Sequence, residues 1–521
     1  MTTTPPVART ARAIRGPRAV RAAAVLAAAV LAGATAVVPA EAAPAPAAPA
    51  APASVAPASV GAAQTDATQA NAAPAGGLWA RTARLSTGIG GAEPDHGSRA
   101  TGLSADGRWA VFDSDATNIV PGDTNGTTDV FVRDLWTGRV ERISLTSTGA
   151  QADGYSYEGE IDALGRSVVF TSLAGLVPED TNGTTDVYVR DLWTGGIEWI
   201  TAGGPAQLEP DRYANEPSIS ADGRYVAFSS TRDDLAPGAS PYGTVNIYVT
   251  DRWRHTTRLL TIGADGSPAN RHSFWPVISA DGGRVGFISR ATNLVPRTEG
   301  GTSAEEPADA QAAADEAAQP RPRRRYLHGD DTVTRPPRQY PYYVHDLASG
   351  RTTVASADES GTPHPAATGT ISPDGRLAVY SYLVPNEPGS NFRHQELFVR
   401  DLGTGAVRRL PIALPGTVTT RSSSEPVVAP GNRWVYFNSD AGNLVPGDTN
   451  LAADVFRHDL WTGRTERVSV AADGSQSTGS SYDPVVGGLG TAVLFTADDG
   501  TLVEGDANFW NDAFLRRVLP F

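Results

Sequence analysis

The stretch ISADGRYVAFSS, residues 219–230, decides the fold. Asp222-Gly223 is a turn dipeptide, because glycine accepts the positive φ that a tight hairpin demands, and apolar-alternating runs flank it on both sides. The chain writes this unit seven times: SRATGLSADGRWAVFDS from Ser98, SYEGEIDALGRSVVFTS from Ser156, ANEPSISADGRYVAFSS from Ala214, SFWPVISADGGRVGFIS from Ser273, AATGTISPDGRLAVYSY from Ala366, SSEPVVAPGNRWVYFNS from Ser423 and SYDPVVGGLGTAVLFTA from Ser481. The period is about 58 residues, with one extra stretch of about 35 in the fourth unit, and a period of this kind marks a repeat array.

Within the first unit four β-patterned runs, ATGLS, WAVFDS, DVFVRD and VERIS, are separated by ADGR, a long loop and LWTGR. Four antiparallel strands make one propeller blade, whose apolar faces must be covered by neighbouring blades. The last unit stops after DAFLRRV without a fourth strand, while RTARLST from Arg81 matches RVERISL yet has no blade before it. The expected fold is therefore all-β, a seven-bladed β-propeller over 78–521 closed by an N-terminal strand, so that no sheet edge is left open.

The units ISADGRYVAFSS and ISPDGRLAVYSY resemble the PD40 (WD40-like) repeat of TolB-type β-propellers, over nearly all of residues 81–521. That resemblance implies the fold and says little about function, because propellers host unrelated activities. TolB-type proteins carry an α/β domain ahead of a six-bladed ring. Here seven units follow a different N-terminal region, so the family's translocation role is not carried over.

The 521 residues are 40% hydrophobic, enough for a large core. A net charge of -14 argues against long-range attraction to nucleic acid or to anionic membranes. The lack of cysteine excludes disulfides, thiolate metal sites and cysteine nucleophiles. Arg9, Arg12, Arg15, Arg18 and Arg21, then apolar Ala22 to Val38 and the Ala40-Glu41-Ala42 site, read as a secretory signal peptide over 1–42. The Ala/Pro-rich segment 43–77 reads as a disordered linker, and 297–337 as a loop inserted in blade 4. A secreted, extracytoplasmic protein is expected.

Chemistry is concentrated in three places. In DTNGTTD, Asp123, Asn125 and Asp129 offer oxygens at loop positions 1, 3 and 7, and the triads Asp180/Asn182/Asp186, Asp448/Asn450/Asp454 and Asp506/Asn508/Asp512 repeat this in units 2, 6 and 7. Such triads either hold calcium, the expected cofactor, or form Asx-turns that need no ion. Where the innermost strand begins, Glu158, Glu216, Glu425 and Asp483 share one position, with Ala100, Trp275 and Thr368 in the other units. They form a carboxylate collar at the channel mouth, suited to a cationic partner or to capping backbone amides between blades. On the opposite face Trp136, Trp193 and Trp461 sit in DLWTG turns, either as a sugar-stacking surface or, the expected case, packed over the adjacent blade. His96, His272 and His364 lie in connecting loops and would serve a metal only if the ring gathered them.

The expected function is a monomeric, non-enzymatic binding or scaffold propeller engaging a protein or glycan partner at the cell envelope. The alternative is a metal-dependent carbohydrate-active enzyme, a lyase or hydrolase, with its site at the channel mouth.

Overall fold

A computed structural model of the chain describes residues 82–203, 212–239, 243–296, 340–385, 393–419, 421–498, 500–508 and 510–518. The expected signal peptide, linker and blade 4 insertion lie outside them.

The described residues form seven antiparallel meanders of four strands each. In blade 1 the strands Ser98–Leu103, Trp109–Ser114, Asp129–Asp134 and Val140–Arg142 follow one another from the channel outward. Blade 4 adds a short fifth strand, Pro365–Ala366, against Tyr340–Asp346. The ADGR turn is fixed by side chains as well as by glycine. Asp106 accepts a 2.5 Å bond from the Ser104 hydroxyl and a 2.9 Å bond from the Arg108 amide, while Gly107 takes φ 69°. Ser220/Asp222, Ser279/Asp281 and Ser372/Asp374 repeat the Ser–Asp bond in blades 3, 4 and 5.

A blade has no core of its own. Each of the seven apolar clusters is built from two consecutive blades: Val111, Val130 and Val132 of blade 1, for example, pack on Ile161, Val168 and Phe170 of blade 2. Each blade also carries at least one stacked aromatic pair across its second and third strands, from Phe112–Phe131 at 5.4 Å in blade 1 to Phe495–Phe514 at 5.7 Å in blade 7. Such cross-strand pairs fix register as well as adding buried area.

Blades are further stitched at the end of the channel where the ADGR turns lie. The Ala105 amide donates to the Ala163 carbonyl at 3.1 Å, Ala163 to Ala221 at 3.1 Å, Ala221 to Ala280 at 3.0 Å and Ala280 to Pro373 at 2.7 Å. Blade 7 joins the series through Leu489, which donates to Ala105 at 3.0 Å.

The ring closes as the repeats imply. Thr82–Arg84 is the outermost strand of blade 7, antiparallel to Asp512–Arg517, with Thr82 opposite Arg516 and Arg84 opposite Phe514. Among the described residues no helix is long and apolar enough to cross a membrane.

Candidate functional site

At the other end of the channel the innermost strands bulge. Register slips by one residue between Tyr157 and Glu160, Asn215 and Ser218, Phe274 and Val277, Ser424 and Val427, and Tyr482 and Val485. The residue turned out by each bulge has left-handed backbone: Glu158 at φ 58°, Glu216 at 54°, Trp275 at 53°, Glu425 at 52° and Asp483 at 53°. In four of the five a proline follows, which has no amide to lose from the ladder. In blade 2 the follower is Gly159, where a Cβ would meet Val111 at 2.7 Å.

These residues form an interlocked collar. Asp113 of blade 1 accepts the Glu158 amide at 2.7 Å, the Glu158 carboxylate accepts the Glu216 amide at 2.9 Å, and the Glu216 carboxylate accepts the Trp275 amide at 2.8 Å. In blade 6 the Glu425 amide donates to the Thr368 hydroxyl at 3.1 Å, and Asp483 accepts Nε of Arg99 at 2.8 Å. The collar thus combines amide capping with a net excess of acid, and it encloses a cavity of about 580 Å³ lined by the innermost strands of all seven blades.

Charge in this cavity is unevenly held. Although burial opposes its charge, Arg99 is kept protonated by Asp483, Asp113, Glu158 and Glu425. Burial pushes Asp113 up to about 7 against the opposing amides of Glu158 and Gly159 and the nearby Arg99. Glu160 is likewise raised by burial to about 7, with only the Ser218 hydroxyl and the Ile219 amide opposing the shift. Sequence comparison of the units missed Arg99, Asp113 and Glu160. They are not repeated, so aligning the copies gives them no signal.

The four triads lie apart from the collar, on the rim, and their cationic partner is arginine. Arg142, from the outermost strand of blade 1, reaches Asp129 at 2.9 Å and Asp123 at 3.2 Å. In blade 6 Arg467 reaches Asp448 at 3.2 Å and Asp454 at 3.4 Å, and in blade 7 Arg84 reaches Asp506 at 2.9 Å and Asp512 at 3.2 Å. Blade 2 has Trp199 at the arginine position, and there Trp199 donates to Asp186 at 2.9 Å and Tyr188 donates to Asp180. Arg232 of blade 3 supplies the positive charge at 3.4 Å from Asp186.

The asparagine of each triad is engaged by the protein as well. Asn125 donates to Asp129 at 3.1 Å and to the Ala152 carbonyl at 3.1 Å, and Asn450 donates to Asp454 at 3.4 Å and to the Ser477 carbonyl at 3.0 Å. Asn182 donates to Asp186 at 2.7 Å. Asn508 donates to the Pro94 carbonyl at 3.0 Å, and its side-chain oxygen accepts the Trp510 amide at 3.0 Å. That bond to the amide two residues on is an Asx-turn. It recurs at Asn125 with Thr127, Asn182 with Thr184 and Asn450 with Ala452. The side-chain oxygens of Asn125, Asn182, Asn450 and Asn508 thus each accept a loop amide, as the Asx-turn alternative expects.

The repeats themselves support the pairing of acid with arginine. Blade 5 has no triad, yet Glu396 stands at the Asp129 position and Arg409 at the Arg142 position, and the two form an ion pair. Blades 3 and 4 have Asn246 and Pro341 instead of the acid, and Leu259 and Val354 instead of arginine. Acid and arginine occur together in blades 1, 5, 6 and 7 and are both absent from blades 3 and 4, while blade 2 keeps the acid with Trp199 in place of arginine. In blades 1, 6 and 7 a guanidinium lies between the two carboxylates of the triad and supplies positive charge there. The melting temperature of the purified protein should accordingly be equal, within error, in millimolar calcium, millimolar magnesium and excess chelator. A rise specific to calcium would return these loops to metal ligation.

The three loop histidines are each engaged locally. His96 contacts Asp95 at 3.4 Å and stacks on Trp510, His272 accepts the Val245 amide at 3.1 Å, and His364 contacts Asp358 at 3.3 Å. The expectation for the turn tryptophans is corrected: Trp136, Trp193 and Trp461 do not pack over the adjacent blade but are 65%, 69% and 72% exposed, as is Trp253 of blade 3 at 65%. The blade-to-blade clefts are already filled by the apolar clusters, which leaves a ring at the turn tip outside.

No family model matches the sequence, and no curated protein matches it. Solved structures similar to this chain are β-propeller proteins at low identity. An oligogalacturonate lyase from Vibrio parahaemolyticus matches at 11% identity and TM-score 0.48, over 84% of this chain and 93% of that one. The propeller domain of the Trilobed protease from Pyrococcus furiosus matches at 10% identity and TM-score 0.43, over 77% and 91%. TolB from Acinetobacter baumannii matches at 14% identity and TM-score 0.34, over 71% and 62%. Likeness at this level concerns the fold alone.

Proposed function

We propose that the protein is a non-enzymatic binding propeller of the cell envelope, whose collared channel mouth takes a basic side chain or peptide segment of a partner protein. One observation carries the reading: five non-glycine residues in left-handed backbone ring a single opening, four of them acidic. Each such residue costs on the order of 1 kcal/mol, and strain of this kind persists where the surroundings enforce it, commonly at sites of binding. The chemistry of the opening agrees. Glu158, Glu160, Glu216, Glu425 and Asp483 line the opening, and Arg99, held by Asp483, Asp113, Glu158 and Glu425, is their counter-charge. A partner's guanidinium or ammonium would relieve the excess.

The test separates strain from binding. Glycine accepts φ near +52° without strain, so Glu425→Gly should leave stability unchanged or raise it by about 1 kcal/mol. The same change should weaken binding of a labelled hexa-arginine peptide by about tenfold, and the wild-type affinity should fall as salt is added. Equal affinity in wild type and variant would remove the collar as the binding site.

A further inference from the structure

The face opposite the collar carries a second, repeated construction. In blade 1 the Arg108 guanidinium is sandwiched between two indole rings, 4.7 Å from the centroid of Trp109 and 4.6 Å from that of Trp136. Blade 3 stacks Arg224 between Tyr225 at 4.6 Å and Trp253 at 4.9 Å, and blade 6 stacks Arg433 between Trp434 and Trp461, both at 5.1 Å. Blade 2, with serine at the inner position, keeps Arg166 over Trp193 at 5.3 Å. Each guanidinium is pinned by the aspartate that opens the turn: Asp134 at 2.8 Å, Asp191 at 2.9 Å, Asp251 at 2.6 Å and Asp459 at 2.7 Å.

Three consequences follow from this stack. The outer indole is held by a layer beneath it, so little rotamer freedom is left to lose on binding. Only one ring face can be covered by arginine, and the 65–72% exposure of these residues leaves the other face to solvent. The arginine is neutralised by its aspartate, so the surface presents flat apolar rings without net charge of its own. With the whole chain at -14, an anionic membrane or nucleic acid is a poor occupant.

We infer that this face binds a neutral β-linked polysaccharide, with Trp136, Trp193, Trp253 and Trp461 as stacking platforms. An extended β-linked chain shows the C–H face of one pyranose after another, and three consecutive blades, 1, 2 and 3, each carry such a ring, with a fourth on blade 6. Individually weak stacks then add through multivalency.

The full-length protein should be depleted from solution by microcrystalline cellulose or by insoluble chitin. Trp136→Ala with Trp193→Ala should lower affinity about tenfold or more, and substitution of all four should reduce depletion to background. Because these rings are exposed, the melting temperature of the variants should stay within error of wild type. Glu425→Gly should bind the glycan as wild type does, so this reading and the collar reading stand or fall separately. Depletion by neither glycan, or depletion unchanged in the fourfold variant, would overturn the inference. So would tryptophan-dependent binding to phosphatidylglycerol vesicles without glycan binding, which would assign the face to a membrane.

Discussion

A chain lacking residues 82–87 should unfold at a far lower urea midpoint than the full chain. The deletion removes the outermost strand of blade 7 and exposes the edge Asp512–Arg517, which then has unpaired backbone groups. It also takes Leu85, 1% exposed, from the cluster shared by blades 7 and 1, and Ser86, which donates to Asp512 at 2.6 Å. Arg84 goes with them, and Asp506 and Asp512 lose the cation between them. A lost leucine alone costs about 2–5 kcal/mol, and the pairing of a whole strand is lost with it. The sum is comparable with the whole stability of an ordinary domain. A truncated protein with an unchanged midpoint would show that blade 7 is complete without this strand.

The second large effect is expected from Arg467→Ala. Arg467 is the only cation within ion-pair distance of Asp448 and Asp454 among the described residues, and both carboxylates are nearly inaccessible. Its removal should cost about 3–5 kcal/mol at about pH 7.5. The loss should shrink at lower pH. Burial already raises Asp454 to about 6, with Arg467 opposing that rise, so removing the arginine raises it further. A carboxyl whose folded pKa is above its unfolded value of about 3.9 gives stability that is present below that value and lost as pH rises through the folded pKa. The gap between variant and wild type should therefore narrow from about pH 7.5 to about pH 5. Millimolar calcium should rescue part of the loss in the variant alone, since the vacated space now faces Asp448, Asn450 and Asp454. A gap independent of both pH and calcium would mean that Arg467 acts through packing and not through its charge.

The ring and its closure were legible in the sequence because both are properties of the repeat. RTARLST could be matched to RVERISL without knowing any contact. The arginine partners of the triads were within reach and were missed: Arg142, Arg409, Arg467 and Arg84 stand on the outermost strand of blades 1, 5, 6 and 7, each beside an acid of the third strand, whereas blade 2 has Trp199 there, a correlation visible only when the two strands are compared together. The left-handed backbone of Glu216, Glu425 and Asp483 was hidden for another reason. A residue before proline is ordinarily extended, and only the bulge enforced by the neighbouring blades overrides that preference. The exposed tryptophans were misjudged because indole surface is usually buried, whereas here a guanidinium provides the second layer that a core would otherwise supply.

The hydrogen bonds between blades run in opposite senses at the two ends of the channel. At the ADGR end the backbone amides of blades 1, 2, 3, 4 and 7 donate forward, as Ala105 to Ala163 and Ala163 to Ala221; at the collar blades 2, 3 and 4 donate backward, as Glu216 to Glu158 and Trp275 to Glu216. Blades joined in this way meet their two neighbours with different surfaces, as subunits do in a head-to-tail assembly, and such a joint ends only by meeting its own beginning. A duplicated unit would arrive with both halves of the joint already in place. What limits the number of blades is then curvature, the angle at which one apolar cluster seats the next blade, and not any shortage of bonding partners.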